Sequence, residues 1–152
     1  MISVLRVFAL SDLHLSMAKP KPMDIFGAAW SDHPARIERA WRAAVAAHDW
    51  VLVSGDLSWA MTLEEALPDL AFLHSLPGRK VLGKGNHCHW WTSRAKVEAV
   101  LPPSIVLLQN DAVALGGGPV VAGTRGWDLP GAPHAPEGSE RLLAREAERL
   151  KL

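Results

Sequence analysis

Three short polar clusters contain residue types that bind metal ions. The clusters are Asp12-Leu13-His14, Gly55-Asp56 and Gly85-Asn86-His87. Carboxylate and amide oxygens together with imidazole nitrogen form a ligand set suited to Mn, Fe or Zn rather than to Ca or Mg alone. Each cluster by itself occurs often by chance, so the order and placement of all three carry the argument. A metal site is predicted if the clusters meet in the fold.

The spacing inside the clusters supports this prediction. Asp12 and His14 are two positions apart, so both side chains point to one side and can reach one ion if strand geometry persists. The two carboxylate oxygens of Asp56 can bridge two ions. Gly55 and Gly85 allow a sharp turn and a close backbone approach where a β-carbon would interfere. The structural alternatives are a helix or turn cap for each aspartate and a hydrogen-bonded loop position for His14.

Each cluster directly follows an apolar run that is typical of a strand in a buried sheet. The runs are Val4 to Leu10, Trp50 to Val53 and Lys80 to Leu82. We expect the first to be a central strand buried on both faces. Ligands of open α/β sheets bind in the crevice outside the carboxyl ends of the strands. The three clusters can therefore converge there.

Helical signals separate the three runs and predict the order βαβαβα. The first helix begins after Asp32, which can cap it, and ends near His48. Thr62 and Glu65 form a capping box for the second helix. The third helix runs from about Thr92 to Leu101. This alternation predicts an α/β fold.

Beyond Pro103 the short apolar runs follow one another without helices between them. They are Ile105 to Leu108, Ala112 to Leu115 and Val120 to Ala122, and we expect antiparallel or edge strands. A glycine- and proline-rich loop then leads to a charged helix that begins at Ser139 and runs to Leu152. No stop signal follows Lys151, so we expect residues 1–152 to form the N-terminal part of one longer domain.

The composition limits the possible partners. The 152 residues include 16 basic and 16 acidic side chains, so no net field would hold the chain on nucleic acid or on an anionic membrane. Polar residues interrupt the first apolar run before it could span a bilayer. The single cysteine, Cys88, cannot form an internal disulfide, which fits a reducing compartment and predicts a cytoplasmic location.

Three segments resemble the first three motifs of the calcineurin-like metallophosphoesterase family. The segments are ALSDLHLS, VLVSGDLSWA and VLGKGNHCHWW. Four others are similar to a bacterial subgroup of predicted phosphohydrolases, namely KPMDIFG, LEEALPDL, NDAVALG and AGTRGWDLPG. The resemblance covers the whole chain. It implies an α/β/β/α sandwich of two mixed sheets, truncated here after the first sheet and part of the second.

The resemblance also implies a role for each residue of the clusters. Asp12 and His14 would hold the first metal ion, Asp56 would bridge, and Asn86 would hold the second ion. His87 would lie beside the leaving group as the catalytic acid. The implied reaction is hydrolysis of a phosphomonoester or phosphodiester by hydroxide at a dinuclear centre of Mn, Fe or Zn.

Two departures from the family pattern qualify this expectation. Cys88 stands where the family has an acidic residue that orients the catalytic histidine, and the family's later histidine motifs do not occur before Leu152. We therefore expect one weakly held ion in this chain. His89 or His134 could substitute, although a surface or loop position is the more common role of such histidines. The alternative function is a non-catalytic metal-binding fragment, or a chain that a partner must complete.

Other residues permit both a functional and a structural interpretation. Arg125 could bind the phosphate of a substrate, and a surface ion pair is an equal alternative. Trp59, Trp90 and Trp91 could line a cleft and stack on a substrate ring, although large aromatic side chains more often fill the core. An incomplete second sheet would expose an apolar face, so self-association is also predicted.

Overall fold

The computed structural model describes residues 5–132 and 135–151 and shows an α/β fold. Within these residues, β1 to β4 form a parallel sheet in that order, and β5 pairs with β6 in a small antiparallel sheet. The strands are β1 (Val7–Leu10), β2 (Trp50–Val53), β3 (Arg79–Gly83), β4 (Ile105–Leu108), β5 (Asp111–Ala114) and β6 (Val120–Gly123). The α-helices are α1 (His33–Ala44), α2 (Leu63–Ser75), α3 (Arg94–Glu98) and α4 (Ser139–Arg149).

The register of the parallel sheet brings the strand ends to one level. Leu10 at the end of β1 is paired with Val53 at the end of β2, and Val53 is paired with Leu82 on β3. The three polar clusters follow directly on these strands. All three clusters therefore lie at the carboxyl-terminal end of the sheet, as the sequence pattern predicted.

One strand prediction needs correction. β1 was expected to be a central strand buried on both faces, but it is an edge strand whose residues alternate between exposed and partly buried, with Val7 39% exposed. The expectation of antiparallel or edge strands beyond Pro103 is confirmed, because β4 lies at the other edge, parallel to β3, and β5 and β6 are antiparallel to each other. Apolar composition identifies a strand, but its position in the sheet depends on pairing that the local sequence does not encode.

Hydrophobic side chains pack on both faces of the parallel sheet. The larger cluster includes Trp41 of α1, Leu70 of α2 and Val97 of α3, together with strand residues. The smaller cluster lies between the parallel sheet and the β5–β6 pair, around Trp50 and Leu115. No helix among the described residues is both long and apolar enough to cross a membrane.

The helix boundaries follow local hydrogen bonds. The capping box is confirmed, because the backbone N–H of Glu65 donates to Thr62 Oγ1 at 3.3 Å. α1 begins after Asp32 as predicted, but the Asp32 carboxylate makes no capping bond. It ends at Ala44 rather than near His48, because Val45 is extended and the next backbone N–H, of Ala46, donates to the Asp49 carboxylate at 2.7 Å.

Helices α3 and α4 are shorter than the sequence predicted. α3 covers Arg94–Glu98, within the predicted range of about Thr92 to Leu101. α4 ends at Arg149 rather than running on to the C-terminus. Its last turn tightens, since the backbone N–H of Leu150 donates to the carbonyl three residues before it.

A buried lysine on β3 gives the fold a pH dependence. Lys80 is 0% exposed, and its ammonium donates to the carbonyl oxygens of Leu76 and His74. Burial, with a smaller contribution from Arg42, lowers the pKa of Lys80 from 10.5 to about 8. The folded protein therefore releases this proton more readily than the unfolded chain does.

We predict that the free energy of unfolding contributed by Lys80 rises between pH 8 and pH 10.5. In this window the unfolded state binds more protons than the folded state, so the rise is at most about 3 kcal/mol. Urea unfolding of the wild type and of Lys80→Met across this range measures it. The difference between the two profiles isolates the lysine, because Cys88 titrates in both proteins. Parallel profiles would contradict the prediction.

Candidate metal centre

Backbone hydrogen bonds continue the pairing of β1 with β2 through the first two clusters. The N–H of Asp12 donates to the carbonyl of Gly55 at 3.2 Å, and the N–H of His14 donates to the carbonyl of Asp56 at 2.9 Å. The isolated bridge between Leu15 and Ser58 extends this pairing further. The two clusters are therefore held side by side by the backbone itself.

Three residues of these clusters have left-handed backbone conformations. The φ angles are 59° at Asp12, 45° at His14 and 46° at Asp56. Such conformations are uncommon for residues other than glycine and cost on the order of 1–3 kcal/mol each. Strand geometry therefore does not persist through Asp12 and His14, contrary to the assumption made from their spacing. Strain of this kind is typical of functional sites.

The side chains of these three residues converge. Asp12, His14 and Asp56 each offer a ligand atom, and these atoms lie within 4.8 Å of one another. His14 Nε2 is 3.6 Å from Asp12 Oδ1. His14 and Asp56 are buried, whereas the Asp12 side chain is exposed. The group is thus open to solvent on one side and enclosed on the other.

The protonation of His14 suits metal binding. Burial lowers the pKa of His14 below its ordinary value of 6.5, although the carboxylates of Asp56 and Asp12 act in the opposite direction. Its Nδ1 atom is buried and has no hydrogen-bond partner among the described residues. A neutral imidazole with a free nitrogen beside two carboxylates fits a divalent cation of the first transition series.

The third cluster reaches this group through its backbone. A β-carbon on Gly85 would lie 2.2 Å from Asp56 Oδ1, so only glycine fits at this position. The N–H of His87 donates to Asp56 Oδ1 at 2.9 Å, and the His87 ring lies 5.9 Å from the ring of His14. Asn86 lies in the turn between them and is exposed. Its role as a metal ligand stays a prediction.

Cys88 lies beneath the site rather than in it. The thiol is 2% exposed, accepts the N–H of Gly85 at 3.3 Å and lies 3.9 Å from Asp56 Oδ1. Burial raises the pKa of Cys88, so a neutral thiol stands where the family pattern has an acidic residue. His89 is exposed, with its ring 6.1 Å from that of His87, and His134 lies outside the described residues.

A buried aspartate on α2 accepts hydrogen bonds from the segment that follows β1 and from the segment that follows β2. Asp69 accepts the N–H of Met17 at 3.0 Å and the hydroxyl of Ser58. Burial raises the pKa of this carboxyl, and the two hydrogen bonds act against that effect. Asp69 thereby joins the segment after His14 to the segment after Asp56.

The three tryptophans considered for a cleft have different positions in the structure. Trp90 and Trp91 are 1% exposed and belong to the core, which was the favoured interpretation. Trp59 lies in the site, where its ring stacks on His14 at 4.5 Å and is tilted against His87 at 5.0 Å. The sequence indicated that Trp59 lies near the site only through its position three residues after Asp56. The contacts of Trp59 with the histidines could not be predicted from the sequence, because they join segments that lie far apart in the chain.

Arg125 lines a separate cavity of about 400 Å³ near the carboxyl ends of β2, β3 and β4. Its guanidinium forms an ion pair with Asp128, which was the alternative interpretation, while its Nε is buried without a partner among the described residues. Ser54 and Lys84 also line the cavity and directly precede the glycines of the second and third clusters. Two residues that line the cavity are therefore direct sequence neighbours of the second and third clusters.

Residues 5–142 match the model of the calcineurin-like phosphoesterase family. The chain belongs to this family. A solved structure of a protein of unknown function from Aquifex aeolicus is similar at 16% sequence identity, with a TM-score of 0.49, over 95% of this chain and 70% of that one. No curated protein matches the chain.

Membership in the calcineurin-like phosphoesterase family agrees with the sequence resemblance and with the fold. The parallel sheet, the small antiparallel sheet and the flanking helices confirm the predicted fold class. Proteins of this family are typically divalent-metal-dependent hydrolases of phosphoesters. The converging Asp12, His14 and Asp56 form the candidate metal site of this calcineurin-like phosphoesterase.

We predict that Gly85→Ala destabilises the protein by about 2 kcal/mol or more, because the added methyl overlaps the Asp56 carboxylate and backbone. Urea unfolding measures the change. Gly126→Ala is the matched control, since a β-carbon there meets nothing within 4 Å, and its stability should stay within about 0.5 kcal/mol of wild type. Equal stability of the two variants would show that the Gly85 contact is not as tight as described.

Proposed function

We propose that this chain is a metal-dependent hydrolase of phosphomonoesters or phosphodiesters that acts at a dinuclear centre. The observation that carries the proposal is the convergence of Asp12, His14 and Asp56, with a buried imidazole nitrogen of His14 left without a partner among the described residues. Structural histidines are normally hydrogen-bonded when buried. A cation between these groups accounts for both features.

Each ligand has a distinct proposed task. Asp12 and His14 would hold one ion, and Asp56, whose ligand atom lies within 4.8 Å of theirs, would contribute to both ions. Asn86, which is exposed in the adjoining turn, would hold the second ion. Divalent manganese, iron or zinc held by these residues would polarise the phosphoryl oxygens and would lower the pKa of bound water to about 7.

His87 is the proposed proton donor. His87 is partly buried, and its ring lies 5.9 Å from the ring of His14. The hydrogen bond from its backbone N–H to Asp56 fixes the residue relative to the metal ligands. An imidazole nitrogen of His87 would pass its proton to the departing oxygen of the ester.

Arg125 is the proposed contact for an anionic group of the substrate. Its cavity is lined by four cationic side chains and one carboxylate: Lys84, Arg125, Arg145, Arg149 and Glu146. Burial opposes the charge on Glu146, but hydrogen bonds from Thr124, Arg149 and Arg145 outweigh it and lower the pKa of Glu146 to about 2. With Asp128, the ion-pair partner of Arg125, included, four cationic side chains face two carboxylates, and this excess of positive charge in an otherwise neutral chain would attract a phosphate locally.

Metal binding provides the first test. Of the two ions, only the first has three ligands in this chain, namely Asp12, His14 and Asp56, whereas the second has only Asp56 and Asn86. Calorimetry should therefore detect one weakly bound Mn²⁺ per chain, and Asp56→Asn or His14→Gln should weaken it at least about tenfold because each removes a ligand. Asp24→Asn is the control, since Asp24 is exposed on a 3₁₀ turn outside the ligand group. Unchanged affinity in both ligand variants would overturn the proposed centre.

Hydrolysis of an aryl phosphodiester and an aryl phosphomonoester in the presence of Mn²⁺ provides the second test. We expect slow turnover that a chelator abolishes. His87→Gln should lower kcat by about 10²-fold or more, since it removes the proton donor. Arg125→Met should raise KM while largely preserving kcat. Tight Mn²⁺ binding without any turnover would instead favour the non-catalytic alternative, and turnover that survives His14→Gln would contradict the assigned centre.

A further inference from the structure

Trp59 contacts both histidines of the candidate site. Its ring is stacked on His14, with the centroids 4.5 Å apart and the planes inclined by 20°. The same ring lies 5.0 Å from the ring of His87 at an angle of 51°. The predicted metal ligand and the proposed proton donor thus share one aromatic surface.

Both faces of the indole are covered. The ammonium of Lys21 lies 3.7 Å from the ring centroid, and it occupies the face opposite His14 because the stacked imidazole covers the other. The indole N–H donates to the sulfur of the buried Met23 at 3.1 Å, which fixes the rotation of the ring in its own plane. Trp59 is therefore held in place and has no free face for a substrate ring.

The hydrogen bonding of His14 shows why such a support is needed. Histidines that bind metals are usually oriented by a hydrogen bond to the ring nitrogen that does not contact the metal. Whichever nitrogen of His14 contacts the metal, no hydrogen bond holds the other. Nδ1 has no partner in the described part of the chain, and Nε2 is 3.6 Å from the solvent-exposed Asp12 carboxylate, beyond hydrogen-bond distance. The rotation of the imidazole is thus determined by packing, and the stacked face of Trp59 is its most parallel neighbour.

We propose that Trp59 is a positioning residue that orients the imidazoles of His14 and His87 for metal binding and proton transfer. The functional consequence rests on the metal-dependent hydrolysis proposed above. Lys21 supports the other face of the indole through a cation–π contact, which is weak at an exposed site because water screens the charge. Its removal should therefore have a smaller effect than removal of the indole.

The first experiment measures Mn²⁺ affinity by calorimetry. Trp59→Leu keeps an apolar side chain but removes the flat face, so affinity should fall about tenfold. Trp59→Phe restores a flat face and should stay within about threefold of wild type. Trp127→Leu is the matched control, because Trp127 also carries a cation–π contact, with Arg125 at 4.8 Å, and should leave Mn²⁺ affinity unchanged.

The second experiment does not depend on metal. In the metal-free protein, the stacked indole should shift the ring-proton resonances of His14 and His87 through its ring current. Trp59→Leu should remove that shift, and Trp59→Phe should retain part of it. Circular dichroism and thermal unfolding serve as controls that check whether both variants fold.

The two readouts separate the proposals. If the wild type binds no Mn²⁺ but the ring shifts behave as expected, the metal-dependent function fails while the positioning contact stands. If Trp59→Leu binds Mn²⁺ as tightly as wild type, or if Trp59→Phe loses as much affinity as Trp59→Leu, the positioning role is overturned. Unshifted histidine resonances in the wild type would overturn it as well.

Discussion

The close approach of Gly85 to Asp56 is the contact on which the candidate metal centre depends. Asp56 Oδ1 accepts the backbone N–H of His87, and the missing side chain of Gly85 leaves room for that carboxylate. A β-carbon on Gly55 would in turn meet the α-carbon of Gly85 at 2.7 Å. The clusters after β2 and β3 can therefore share one carboxylate only because both glycines are present.

The site combines several local costs that the surrounding fold must offset. Three residues adopt left-handed conformations, and His14 loses solvation on burial. The parallel sheet supplies compensation through continuous pairing from β1 to β4, and Asp69 adds hydrogen bonds that join the segments following β1 and β2. A bound cation would further stabilise this arrangement, because it would attract the two carboxylates, which repel each other, and the imidazole nitrogen that has no partner among residues 5–132 and 135–151.

The region around the histidines is aromatic and apolar on one side and acidic on the other. Trp59 covers one face of His14, while Asp12 faces solvent and Asp56 lies in the interior. The buried thiol of Cys88 adds no charge next to Asp56. The formal negative charge of the ligand group therefore comes from the two aspartates, which concentrates the attraction for a cation at one point.

The sequence by itself determined the order of the elements, the capping of α2 by Thr62 and Glu65, and the placement of the polar clusters after strands. These features depend on local propensity, hydrophobic periodicity and glycine, all of which act over a few residues. Tertiary structure decided that β1 is an edge strand, that Cys88 faces Asp56, and that Trp59 stacks on His14. Those outcomes depend on strand pairing, on backbone turns and on contacts between segments far apart in the chain, which no local pattern of residues specifies.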